Sequence, residues 1–254
     1  MRFPRLVSLL FPLMTRAPNP PVVSNLRLGA LTLLILVLLL GWDATGGDLA
    51  LAHLAGTPMG FPWRENAFLV HVMHEGARNL SWLLVIALFA GIRWPLGVLR
   101  RLPVRGRAQL AFTVLLSVLA VSLLKHASHT SCPWDLREFG GVASHVSHWA
   151  WKVYDGGAGG CFPAGHASAA FAYAGGYFVL RRVAPRAALV WLGVSLAAGL
   201  ALGLSQQLRG AHYMSHTLWT AWICWVVGFA IDLAAAPRAS RLPAAEPAVL
   251  HAGS

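Results

Sequence analysis

Residues Leu26 to Trp42 read "LRLGALTLLILVLLLGW", with one charge, Arg27, at the very start. This run constrains the chain more than any other feature. About 20 apolar residues in an α-helix cross roughly 30 Å of hydrocarbon. Backbone groups in lipid find no water, so a stretch like this must satisfy them within a helix. The run lies too far in, and lacks the small-residue cleavage site, to be a removed signal peptide. Further apolar runs follow: "NLSWLLVIALFAGIRW" from Asn79, "AQLAFTVLLSVLAVSLLK" from Ala108, "HASAAFAYAGGYFVLRR" from His166, "AALVWLGVSLAAGLALGLS" from Ala187 and "YMSHTLWTAWICWVVGFAIDL" from Tyr213. The expected fold is therefore an all-α polytopic membrane protein with six transmembrane helices in a bundle over residues 26–235. A cytoplasmic N-terminal segment, 1–25, precedes it, and an Ala/Pro-rich disordered cytoplasmic tail, 236–254, follows.

The net charge of +11 raises nucleic acid as a partner, but the distribution of charge argues for membrane topology. With the N-terminus inside, the inner segments hold fourteen arginines against Asp232 and Glu246, while the outer ones hold six basic residues against seven acidic. Such a bias orients a polytopic protein by the positive-inside rule, with both ends cytoplasmic. The expected location is a bacterial inner membrane.

The 11 histidines are distributed in the opposite sense. All but His251 fall in outer segments or within a turn of them. Three helix ends converge there in an up-and-down bundle: one run finishes at Lys125, another opens at His166, and the last begins just after His212. Ionisable groups at this depth cost about 2.5–3.5 kcal/mol each on insertion scales and usually face a polar cavity. Snorkelling to the headgroups is the plainer alternative for any one of them. The stretch "FPAGH", Phe162 to His166, suits a phosphate. Pro fits a first helical turn, Gly permits close approach, and free N–H groups with a positive dipole end attract an anion. His166 stands ready to pass a proton.

Three blocks together resemble the type 2 phosphatidic acid phosphatase family, which includes lipid phosphatases, bacterial acid phosphatases and the related vanadium haloperoxidases. The family pattern is Lys-x6-Arg-Pro, Pro-Ser-Gly-His and Ser-Arg-x5-His-x3-Asp. Here the blocks are "KHASHTSCP" from Lys125, "PAGH" from Pro163, and "SQQLRGAHYMSH" from Ser205 to His216. The resemblance implies a metal-independent, cofactor-free phosphoric monoester hydrolase facing the periplasm. His212 is then the nucleophile that becomes a phosphohistidine, and His166 the acid that protonates the leaving oxygen. Lys125, the Gly165 N–H and Ser205 border the phosphate.

The blocks depart from the pattern at four places: Cys132 for Arg, Ala164 for Ser, Gln206 for Arg and His216 for Asp. Arg209, three residues past Gln206, and Arg137, five past Cys132, are the candidates to resupply charge. His216 keeps the i+4 spacing from His212 and is expected to accept its ring N–H. Cys132 and Cys161 lie at the two ends of one outer loop. An oxidising compartment favours a disulfide there, worth about 3–4 kcal/mol in the loop-entropy model; two free thiols are the alternative. "WRENAFLVHVMHEGARN", from Trp63, reads as an amphipathic helix on the outer leaflet that either guides a lipid tail or caps the bundle.

The expected substrate is a phosphorylated lipid, a monoester or a diphosphate, with the head group and the oligomeric state left open. Phosphotransfer between lipids shares the first half-reaction and is an alternative. A metal-binding role is another: His126/His129, His145/His148 and His212/His216 each pair imidazoles at ligand spacing. It leaves Pro-Ala-Gly-His unexplained, and Lys125 would repel a cation.

Overall fold

A computed structural model describes residues 20–150 and 152–236. Residues 1–19 and 237–254 hold most of the expected N-terminal segment and tail, and those two expectations lie outside the described residues.

The described chain is all-helical. Helix α1 spans Asn25–Thr45; the Ser24 hydroxyl accepts from the Arg27 N–H at its start, and Gly46, at φ 66°, ends it in a left-handed turn. A short helix, α2 (Gly47–Ala55), folds back from it. A π-helical segment, Phe68–Gly76, runs without a break into α3, Ala77–Arg93. Helix α4 covers Val104–Ala127, α6 covers Pro185–Leu208 and α7 covers Met214–Ala235. Five helices are long and apolar enough to cross a membrane, beginning at Asn25, Phe68, Val104, Pro185 and Met214.

Two expectations change here. The segment from Trp63 to Asn79 is not a separate surface helix: from Phe68 it forms the first turns of a 34-residue candidate span. The sixth expected span, from His166, is not one long α-helix either. It is the helical run α5 (165–180), in which 3₁₀ segments Gly165–Ala167 and Ala172–Gly175 alternate with α segments Ser168–Phe171 and Gly176–Leu180. The 3₁₀ turns rise about 2.0 Å per residue instead of 1.5 Å, so the short run reaches further than its length suggests.

Run α5 is the core of the bundle. Phe171, Phe178 and Leu180 are all 1% exposed or less, packed against Leu110, Val114 and Ala188 of α4 and α6. Its small residues admit close neighbours. A Cβ on Gly228 of α7 would lie 3.0 Å from the Gly175 Cα, so the two backbones cross almost in contact. One end of the bundle is fastened by charge: the Asp232 carboxylate accepts from Arg181 at 2.8 Å and from Arg182 at 2.7 Å. Arg181 also reaches the Val23 carbonyl and the Asn25 side chain, tying in the start of α1.

Candidate active site

At the other end, the last turn of α4, the first residues of α5 and the loop before α7 meet. Two bonds hold the junction: the Ala164 N–H donates to the His216 carbonyl at 3.2 Å, and the Thr220 hydroxyl donates to the Ala164 carbonyl at 3.1 Å. A disulfide joins Cys132 and Cys161 across it, with the Cα atoms 5.2 Å apart. The residues between these cysteines form a braced lobe, in which the Ser131 N–H and hydroxyl both donate to Asp155, at 2.6 and 2.8 Å.

The junction encloses a cavity of about 420 Å³ bordered by Lys125, Gly165, His166, Arg209 and His212. The stem of Lys125 lies along Gly165, where a Cβ would meet it at 3.1 Å, and its Nζ donates to the Gly160 carbonyl at 2.5 Å. Gly165 opens the helical run, so its N–H has no intrahelical acceptor. His166 donates from Nε2 to the Met73 carbonyl at 2.8 Å, leaving Nδ1 as its free nitrogen. Its ring stands edge-on to His74, with centroids 4.3 Å apart.

His212 sits in the loop between α6 and α7 and is 7% exposed. Gly210, at φ 75°, turns that loop, and the Gly210 carbonyl accepts from the Trp134 N–H at 2.9 Å. The Nδ1 of His212 lies 3.6 Å from the Cys161 sulfur, which donates nothing because it is part of the disulfide. Burial holds the imidazole well below its usual basicity, and the Lys125 ammonium pushes the same way. The nucleophile candidate is therefore neutral at ordinary pH, with Nε2 available.

Arg209 is positioned by two acceptors: the Arg64 carbonyl takes its Nε–H at 2.9 Å, and Gln206 Oε1 takes Nη1 at 3.2 Å. The residue standing where the family pattern has Arg thus steers the arginine one turn later. Trp134 is a shared platform for Arg64 and Arg209, at 4.5 and 5.9 Å from the ring.

Three expected residues are not brought to this cavity. Arg137 is exposed and donates its Nε–H to the Val142 carbonyl, in the 3₁₀ turn Arg137–Phe139. Backbone direction in that turn carries the side chain away. Ser205 is buried within α6, where its hydroxyl donates to the Leu202 carbonyl. His216 does not accept the His212 ring N–H. The two rings are 5.9 Å apart at 65°, and both His216 nitrogens lack a partner. His216 packs instead between Phe162 and His148.

Other residues at the site escape sequence reasoning. His74 and Arg78 border the cavity, followed by Ser81, Trp82 and Val85. Their i, i+4 spacing was a readable signal, but only once the helix was known to run through Gly76. Asp48 of α2 accepts the Ser215 N–H at 2.9 Å and the Ser215 hydroxyl, capping α7 from outside. Helix α7 has no side-chain cap of its own. Asp43 accepts indole N–H groups from Trp149 and Trp219, both at 2.9 Å.

Among the described residues one group clusters its ligand atoms as a metal site does: Cys132, Cys161 and His212. Two of its three donors are joined as the disulfide, which leaves a single imidazole and no thiolate. That set does not fit a metal ion.

No curated protein and no solved structure gives a match to the chain. The PAP2 superfamily profile matches residues 107–237, just over half of it, from α4 through α7. All three sequence blocks and both sides of the junction fall inside that stretch. The chain belongs to the PAP2 superfamily, whose members are typically phosphatases with a histidine nucleophile.

Proposed function

We propose that this protein is a phosphatase of lipid phosphate monoesters or diphosphates, working by a phosphohistidine at the extracytoplasmic face of a bacterial inner membrane. One observation carries the reading. The cavity that gathers Lys125, Gly165, His166, Arg209 and His212 continues between α3 and α4 past Trp82, Val85 and Val118, residues of two candidate spans. A phosphate at the polar end thus leaves an attached chain in apolar surroundings.

The chemistry follows from the positions. His212 Nε2 attacks phosphorus; the P–O bond to the lipid breaks as the P–N bond forms. The leaving oxygen takes a proton from Nδ1 of His166, which enters the step as the imidazolium with its Nε2–H on the Met73 carbonyl. Burial lowers its pKa to about 4, and the charge of a bound phosphate dianion raises it again. The now neutral His166 then takes a proton from water as that water's oxygen displaces the His212 nitrogen, releasing phosphate. Lys125, Arg209 and Arg78 bring three side-chain cations to the cavity for the charge on the five-coordinate phosphorus. Positioned charge of this kind supplies most of the rate in phosphoryl transfer.

The test is phosphate release from a panel of phosphorylated lipids in the presence of a chelator, comparing the purified protein with His212→Ala. The native protein releases phosphate from at least one lipid, and the variant loses on the order of 10⁶-fold in turnover, as nucleophile removal does elsewhere. Equal release by both on every lipid refutes the reading.

A further inference from the structure

A second cavity, of about 490 Å³, adjoins the first on the far side of Lys125. Lys125 and Ser122 border both cavities. The Lys125 ammonium is held on the Gly160 carbonyl at 2.5 Å, and Gly160 belongs to the wall of the second cavity, so the charge stands at the partition.

The second cavity differs from the first in character. His126, His129 and Tyr154 replace the apolar lining of the lipid side, and among the described residues no carboxylate borders it. The nearest carboxylate in sequence, Asp155, is turned inward and engaged by the Ser131 N–H, the Ser131 hydroxyl and the Gly157 N–H. The His129 and Tyr154 rings lie 4.7 Å apart and form one wall. Beside it the lining is bare backbone: Gly159 and Gly160 have φ of 67° and 64°, and a Cβ on Gly159 would meet the His129 backbone at 3.3 Å. Imidazoles offer an N–H in either protonation state. An ammonium, two imidazoles and a phenol with no acid among them form a site for a compact, oxygen-rich anion.

We propose that this cavity is a second phosphate site, through which inorganic phosphate leaves toward water while the dephosphorylated lipid leaves between α3 and α4. Lys125 touches phosphate in both places, so the anion passes from one cavity to the other without losing its countercharge. The proposal rests on the phosphatase reading for the origin of the phosphate. A phosphate dianion of other origin, such as a neighbouring lipid headgroup, has the same chemistry.

The experiment titrates inorganic phosphate into the purified full-length protein, in lipid-free detergent and in nanodiscs containing phosphatidic acid. It compares the native protein with His126→Ala/His129→Ala and with His126→Gln/His129→Gln. The alanine pair should weaken phosphate binding about tenfold or more, the loss of hydrogen bonds to a charged group. The glutamine pair, which keeps N–H donors, should bind within about threefold of the native protein. Weakening in detergent assigns the site to free phosphate. Weakening confined to the nanodiscs assigns it to lipid headgroups and overturns the exit role, and unchanged binding in both overturns the site. Because the lipid-free detergent arm reads binding without turnover, absence of phosphatase activity on every lipid would overturn the parent reading alone.

Discussion

The two ends of the bundle bury different kinds of polar group. At one end Asp232 has both carboxylate oxygens occupied by Arg181 and Arg182, and Arg181 further binds the Val23 carbonyl and the Asn25 side chain. At the other end both nitrogens of His216 and the hydroxyl of Tyr213 are buried without a partner, while the His148 Nε2 lies 3.3 Å from Asp43 Oδ2. Unpaired buried polar groups are few in folded proteins and each carries a penalty. The end with the saturated carboxylate behaves as a clamp, although the Nε of Arg181 is itself buried there without a partner. The other end keeps the His212 imidazole neutral by burial with its Nε2 unspent, which a nucleophile requires and a structural histidine does not.

The comparison is broken most severely by His166→Ala. If the unsatisfied end is the reactive one, turnover falls about 10²–10⁴-fold, as for loss of a general acid–base group, while thermal stability changes little. Initial-rate assays beside melting curves in detergent check both. A large loss of melting temperature with retained turnover per folded molecule would reverse the assignment of the two ends.

Asp232→Ala should do the converse. It leaves Arg181, 2% exposed, as a buried cation without its carboxylate, and breaking such a pair typically costs about 3–5 kcal/mol. The expected outcome is a marked fall in melting temperature and ordinary turnover from the molecules that remain folded. An unchanged melting curve would mean that the cluster adds nothing to stability.

Sequence made these two ends legible to different degrees. Five of the expected spans could be read because length and apolarity report lipid-crossing helices directly. Run α5 was legible as an apolar stretch, but its alternation of 3₁₀ and α segments was not, because hydropathy carries no signal for that choice. Helix α2, only Gly47–Ala55, is too short for a membrane signal. At the site, Lys125, Gly165, His166 and His212 were legible because the family spacing fixes them, and Arg209 because it lies one turn from Gln206. Arg137 failed since nearness in a loop's sequence does not fix where a side chain points. Asp48 was out of reach for another reason: its partner, Ser215, is 167 residues away and no local pattern links them.

That long-range contact sharpens the comparison, because it is a well-satisfied carboxylate at the unsatisfied end. Asp48→Asn keeps the shape but weakens the external cap on α7, an effect of about 1 kcal/mol. If Asp48 positions the loop bearing His212, the loss appears as about a fivefold fall in turnover with little change in KM. Should only the melting temperature move, Asp48 is structural and the loop holds its own conformation.

The smallest effect is on pH dependence, and it tests burial itself. An ordinary histidine, with a pKa near 6.5, is roughly three-quarters protonated at pH 6, and a protonated imidazole cannot attack phosphorus. Burial, first, and the neighbouring Lys125 charge, second, depress the His212 value. His148 is depressed by burial too, although Asp43 and Asp48 oppose it. Activity limited by neutral His212 is therefore present at and above pH 6.5 and persists as pH falls past it, disappearing only through the lower, folded-state value. Stability follows the same sign: the unfolded chain binds more protons near pH 6, so the fold loses some of its margin below pH 6.5. Between pH 7.5 and pH 6 the neutral fraction of His212, read from its ring resonances by NMR, should change less than about twofold, against about fourfold for an exposed imidazole. A fourfold drop, with half-loss near pH 6.5, would show that His212 is solvated like a surface residue. The unpartnered end would then have lost its distinction from the clamped one.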